Sequence, residues 1–140
     1  MPAYSQTPLA RKLGIRDNFR ILVVNMPENY LALFTDWPER IEWVHDSQVR
    51  KNFIHLFARE SEQLYSLLPD LVDEMEQDGM IWVSWPKKAS GIHSDVTENL
   101  VRSFALETGL VDIKVCSIDD TWSGLKLVIP LKSRNSKTPK

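Results

Sequence analysis

The chain has 140 residues, 17 Lys+Arg against 19 Asp+Glu, and a formal net charge of −2. With 43% hydrophobic and 26% charged residues, it has ordinary globular composition. A chain this long buries roughly two thirds of its unfolded surface as one domain without disulfide staples. These values exclude general disorder, a disulfide scaffold and a coiled coil. The longest aliphatic run, residues 21–24, is far short of the ~20 residues that span a bilayer, and no basic stretch leads into an apolar run at the N-terminus. The single cysteine, Cys116, has no partner within the chain. The expectation is a cytoplasmic protein with no membrane association. Near-neutral charge gives no global attraction to nucleic acid.

In chain order, Thr7, Pro8 and Gly14 punctuate a short helix: threonine caps the first amides, proline suits the first helical position and glycine suits the exit. Its Leu9 and Leu13 should pack as a lid. Residues 20–25 form an apolar run ending in a polar residue, the mark of a strand covered on both faces. After Pro27, a short helical stretch holding Tyr30, Leu31, Leu33 and Phe34 must end before Trp37-Pro38, because the residue before proline avoids helical geometry. Residues 40–44 and 52–58 supply two more strands. From Glu60 the period changes to three and four at Leu64, Leu67, Leu68, Leu71, Val72 and Met75, which predicts an amphipathic helix up to Gly79, kinked or divided at Pro69.

Residues 80–85 return to an extended apolar run. Asp95 and Glu98 have capping-box spacing, opening a helix with a buried stripe of Val96, Leu100, Val101, Phe104 and Ala105 that ends at Gly109. Val111, Ile113 and Val115 alternate with polar residues, as do Leu125, Leu127, Ile129 and Leu131 with their neighbours except Val128. With Asp119-Asp120-Thr121 between them, the two runs read as an antiparallel hairpin. Strands alternating with helices, followed by a hairpin, define an α/β fold. The expected form is a Rossmann-like three-layer sandwich on a mostly parallel six-stranded sheet of order 2-1-3-4-6-5, with strand 6 antiparallel. Residues 1–131 form the single expected domain. Residues 132–140 carry four basic side chains and no acid, leaving the rest near −6, and read as a disordered, solvated tail.

In such a sheet ligands bind at the carboxyl ends of the strands, where the strand order reverses. The segments arriving there are residues 25–28, Arg59-Glu60, residues 87–94 and the hairpin tip 119–122. Lys87, Lys88 and Ser90 precede a helix, whose first amides attract anions. They are the candidate contacts for a phosphate or carboxylate, with Asn25, Asp120 and Trp122 lining the same crevice and Asp119 or Asp120 as acceptor. The alternative is a solvated loop whose lysines pair with Asp119, Asp120 or Asp95. The loop is not a P-loop, which needs Gly, four residues, then Gly-Lys-Ser/Thr. Ser90, His93 and Asp95 hold the residue types of a hydrolytic triad without its nucleophile turn. His45, His55 and His93 lack metal-site spacing, and His55 reads as a hydrogen-bonded core residue. Cys116 reads as packing, and Trp82, Trp85 and Trp122 as closing the core more than stacking on a ligand.

Three segments carry a resemblance: Tyr4-Ser5-Gln6-Thr7-Pro8-Leu9 with Lys12-Leu13-Gly14; Trp82-Val83-Ser84-Trp85-Pro86-Lys87-Lys88-Ala89-Ser90-Gly91; and Asp120-Thr121-Trp122-Ser123-Gly124-Leu125-Lys126. Through them the chain resembles a family of small bacterial proteins classed as a domain of unknown function. Membership implies a compact cytosolic single domain and no established activity. The strand order also resembles the sheet of S-adenosylmethionine-dependent methyltransferases. There a glycine-rich turn follows the first strand and an acid at the end of the second holds the ribose. Here that turn, Asn25-Met26-Pro27-Glu28-Asn29, has no glycine, and Asp46 or Glu42 is the candidate acid. The sequence names no cofactor. The leading expectation is a module binding a small anionic ligand or nucleotide. The alternatives are a protein-interaction module presenting Trp37 and Trp43 to a partner or a second copy, and a methyltransferase-like enzyme.

Overall fold

The computed structural model describes residues 8–134. Helix α1 (Leu9–Leu13) leads into β1 (Arg20–Val24), followed by a turn of 3-10 helix at Leu31–Leu33, then β2 (Glu42–Trp43) and β3 (Lys51–Phe57). Helix α2 (Ser61–Val72), β4 (Met75–Pro86), α3 (Glu98–Glu107), β5 (Val111–Ser117) and β6 (Trp122–Val128) complete the fold. The six strands form one sheet in the order β2-β1-β3-β4-β6-β5. β1 to β4 are mutually parallel where they pair, and β6 runs antiparallel to both β4 and β5. The Rossmann-like α/β architecture and its strand order are those expected from the sequence.

Period-2 alternation divides the core into two layers. Ile54, Leu56, Ile81, Val83, Leu125 and Leu127 face one side, against Leu64, Leu68 and Leu71 of α2 and Val101 and Ala105 of α3. Ile21, Val23, Phe53, Phe57 and Trp82 face the other, against Leu13, Tyr30, Phe34 and Ile118. This second face is covered by the short α1 and by irregular chain with one 3-10 turn, so the helical covering is lopsided. Trp82 is fully buried and its indole N–H donates to the carbonyl of Leu13 at 2.8 Å, tying α1 to the sheet. Gly14 closes α1 in the left-handed conformation (φ 90°), as glycine after a helix favours. Pro8 is the N-cap of α1; the expected cap Thr7 lies outside the described residues.

Several boundaries differ from those the sequence predicts. Helix α2 stops at Val72 and Met75 opens β4. The stretch to Gly79 is therefore strand, although Met75 continues the helical spacing. Acids at positions 73 and 74 oppose the negative end of the helix dipole. The amide of Lys51 also takes the Glu74 carbonyl at 2.8 Å, pulling the chain into the sheet. Pro69 lies inside one continuous helix, near its end, where the missing N–H costs a single bond. β2 is only two exposed residues. In β5, Ile113 and Val115 are exposed, because the strand lies at the sheet edge and its register shifts between Asp112 and Lys114. β6 ends at Val128. Leu131 is exposed in a 3-10 turn, Leu131–Ser133, so the first part of the basic tail is folded back, with Arg134 donating to the Ile129 carbonyl at 3.0 Å. Residues 135–140 lie outside the described residues.

Candidate functional site

At the carboxyl edge the ends of β1, β3, β4 and the β5–β6 tip are tied together by polar groups. Asn25 ends β1 in the left-handed region (φ 61°), a position that favours glycine or asparagine. Its side-chain amide donates to the carbonyl of Phe57 at 3.0 Å, across the point where the strand order reverses. Lys87 follows β4. Its backbone N–H donates to Thr121 O at 2.7 Å and its ammonium to Ser117 Oγ at 2.7 Å, linking β4 to both arms of the hairpin. The Asp119 carboxylate accepts the amides of Thr121 and Trp122, both at 2.8 Å, closing the tip. Trp122 packs edge-on against Phe57, ring centres 4.9 Å apart. Lys88 and Asp120 are exposed.

The expected helix start is absent from this loop. Lys88–Ser90 is an isolated 3-10 turn, and α3 begins at Glu98, capped by Thr97, whose Oγ1 accepts the Leu100 amide at 3.2 Å. Ser90 is committed to its own turn: its hydroxyl donates to Lys87 O at 2.7 Å and accepts from the Ile92 amide at 3.1 Å. The expected Asp95–Glu98 capping box does not form. Asp95 instead reaches α2, where its carboxylate accepts the Ser61 amide at 2.7 Å and the Ser61 hydroxyl at 2.8 Å. The anion position at that helix start is thus filled by a side chain of the protein itself.

The Ser61 hydroxyl, then its amide, hold the Asp95 carboxyl below the usual carboxylate range. A depressed carboxyl stabilises the fold above its ordinary pKa, and that contribution disappears as pH falls through the lowered value. Asp95→Ala should therefore lower Tm at neutral pH and speed amide exchange at Ser61, with the two proteins converging in acid. An unchanged Tm and an unchanged Ser61 exchange rate at pH 7 would show that the contact contributes nothing.

The remaining candidates separate. Ser90 and Asp95 are each bonded elsewhere and His93 is exposed, so the three do not assemble as a triad. Asp46 accepts the Gln48 amide at 2.9 Å, and Glu42 is exposed on β2. Trp82 and Trp85 are buried. Trp37 stacks on Phe34 at 4.1 Å, while Trp43 is exposed beside it. Among the described residues no group of three His, Cys, Asp or Glu side chains is placed to hold a metal. His55 is the buried, hydrogen-bonded core residue the sequence suggests. Its Nδ1 lies 3.0 Å from Tyr30 Oη and its Nε2 lies 2.8 Å from Ser84 Oγ. The partners were invisible in the sequence because they come from other strands and loops. Burial pushes His55 down to about 3 and pushes the Tyr30 phenol up.

This sheet is that of the methyltransferase-type Rossmann-like fold. Solved structures similar to the chain include a ribosomal protein L11 methylase from Lactobacillus delbrueckii subsp. bulgaricus, at 12% identity and TM-score 0.54, covering 86% of this chain and 74% of that one. Magnesium protoporphyrin IX methyltransferase (ChlM) from Synechocystis PCC 6803 with bound SAH matches at 9% identity and TM-score 0.52, over 87% of this chain and 78% of that one. LepI in complex with SAM matches at 13% identity and TM-score 0.54 over 89% of this chain, which spans 47% of the LepI chain. At these identities the likeness is one of fold. The chain belongs to the family described as protein of unknown function (DUF3052), whose family model matches residues 43–131. That span includes the Trp82–Gly91 and Asp120–Lys126 segments and begins beyond the Tyr4–Gly14 one. No curated protein matches the chain.

Proposed function

We propose that the protein is a binding module for a small anionic ligand, seated on the carboxyl rim formed by Asn25, Lys87, Lys88, Ser90, Asp120 and Trp122. The observation that carries this reading is charge left uncompensated. Among the described residues neither Lys87 nor Lys88 forms an ion pair, although Asp119 and Asp120 stand on the neighbouring hairpin tip. Lys87 bonds a neutral hydroxyl, and Asp119 is occupied by backbone amides. Two cations at a sheet edge, with an aromatic face at Trp122, suit an anion attached to a planar or apolar body. The methyltransferase neighbours support the location and not the chemistry. Here the turn after β1 has no glycine, and the Asn25 side chain bridges β1 to β3 where a cofactor would need close backbone approach.

Thermal unfolding against nucleotides, S-adenosyl compounds, phosphorylated metabolites and carboxylates, each at about 1 mM, tests the proposal. A ligand with Kd near 10 μM adds about 2.7 kcal/mol, a shift of several degrees for a domain of this size. The Lys87→Ala/Lys88→Ala double variant should lose that shift while the free protein melts within about 5 °C of the parent, since Lys88 is exposed and the half-buried Lys87 gives up one side-chain hydrogen bond, to a neutral hydroxyl. A full shift retained in the double variant would remove the rim as the site. No shift with any compound would favour the interaction reading, with exposed Trp43 as its contact.

A further inference from the structure

At the opposite edge of the sheet lies a second cationic site, built from Arg16, Lys126 and Arg134. Lys126 lies in the middle of β6, paired with Trp82 of β4 and Lys114 of β5. Its neighbours Leu125 and Leu127 are fully buried against the helical layer. Alternation therefore sends Lys126 to the other face, where its Nζ would lie 3.8 Å from a Cβ at Gly14. Its ammonium makes no hydrogen bond or ion pair with any described residue. It opens onto a cavity of about 340 Å³ that Arg16 and Arg134 also line, with Asp78 the one acid and Phe19 and Val128 among the apolar walls.

Arg134 is oriented by its Nε bond to the Ile129 carbonyl, which leaves its terminal nitrogens for another acceptor. Arg16 is exposed and, like Lys126, in no ion pair among the described residues. Burial first, then the charges of Lys114 and Arg16, hold the Lys126 ammonium below the usual lysine range. A lysine on a central strand, beside two arginines and without a bonded carboxylate, carries a desolvation and repulsion cost that a bound anion would relieve.

We propose that this cavity, formed by Arg16, Lys126 and Arg134 at the amino edge of the sheet, binds the phosphate group of a small phosphorylated metabolite. Two guanidinium forks and an ammonium lining one cavity suit a tetrahedral dianion. The volume sits at the lower end of small-molecule sites, roughly 300 to 1,000 Å³, which restricts the attached skeleton to a few carbons lying along Phe19 and Val128. The site shares no residue with the carboxyl rim, so either can fail without the other.

The test is an NMR titration of the ¹⁵N-labelled full chain with inorganic phosphate and, separately, glycerol 3-phosphate, against sodium chloride at matched ionic strength. The expected result is saturable shifts of the Gly14 and Gly79 amides with both phosphates and not with chloride. Lys126→Met keeps the alkyl stem on β6 and should weaken the affinity about tenfold or more, the loss expected for a charge-assisted hydrogen bond. Lys87→Ala/Lys88→Ala should leave it unchanged. Should Lys126→Met fail to fold, the exposed Arg16→Gln substitution makes the same test. No saturable shift by about 10 mM phosphate, a concentration that would half-fill even a weak site, or equal affinity in the charge-removing variant would overturn the proposal.

Discussion

Lys51→Met is expected to lower stability by about 3 kcal/mol, a fall in Tm of roughly 9 °C for a domain of this size. The Lys51 side chain is fully buried, and its ammonium donates to Glu74 Oε1 at 2.6 Å and to the Asp46 carbonyl at 2.8 Å. Removing it leaves a mostly buried carboxylate and a carbonyl without their partner, and that loss, more than the ion pair itself, is what costs stability. Glu74 keeps 16% side-chain exposure, so water softens the effect. The double variant Lys51→Met/Glu74→Leu should recover much of the loss, because replacing both charges by apolar groups removes the desolvation cost along with the attraction. Chemical denaturation of the three proteins checks this. A single variant as stable as the parent would show that Glu74 swings into solvent and the pair contributes nothing.

A loss of similar size is expected in His55→Phe. The new ring can still stack on Phe57, as the imidazole does at 4.2 Å, but Tyr30 Oη and Ser84 Oγ lose their partner in the core. Each of the two buried hydroxyls left unsatisfied costs about 1–3 kcal/mol, so Tm should fall by roughly 6–18 °C. Adding Tyr30→Phe and Ser84→Ala removes the orphaned groups and should restore most of the difference.

The pH dependence separates this mechanism from a simple packing defect. His55 titrates near 6.5 in the unfolded chain and at about 3 in the fold, because burial disfavours the charged ring. Between those values the unfolded chain holds a proton that the folded one does not. His55 thus contributes stability above the unfolded pKa that is lost as pH falls toward the folded one, at about 1.4 kcal/mol per pH unit. Urea denaturation from pH 7 to 4 should show this slope in the parent and lack it in His55→Phe. Equal slopes would mean that the ring is already charged, or reached by water, in the folded protein.

The elements that were legible in the sequence are those whose signal repeats within a few residues. The apolar runs at residues 21–24, 53–57 and 80–85 announce strands covered on both faces. Their alternation with helical stretches, together with right-handed crossovers, restricts the sheet to the order observed. Leu100, Val101, Phe104 and Ala105 of the expected stripe lie on α3, whereas Val96 is buried just ahead of it, since the helix opens at Glu98 and not at Asp95. Where local signals compete, the sequence misleads. Met75 stands four residues after Leu71, which suits the next turn of a helix, yet the Lys51 amide and ammonium hold Glu74 at the start of β4. Asp95 stands three residues before Glu98, which suits a capping box, yet it is taken by Ser61 from another helix.

The candidate sites divide the same way. The rim was legible because the carboxyl edge of a parallel sheet follows from topology alone. Lys87, Lys88, Asp120 and Trp122 are brought to that edge, whereas the anion-holding helix start expected beside them is not. The cluster of Arg16, Lys126 and Arg134 could have been suspected from one signal, a lysine between two leucines in a strand covered on both faces.

By itself, the sequence determined the α/β class, the strand order, the split of the core into two layers and the edge where a ligand is sought, because apolar periodicity is written residue by residue. Tertiary structure alone decided the polar partnerships. Tyr30 with His55 spans 25 positions, His55 with Ser84 spans 29 and Ser61 with Asp95 spans 34. Such pairs depend on strand register and helix placement, and a buried donor or acceptor takes whichever partner the packed backbone brings within about 3 Å.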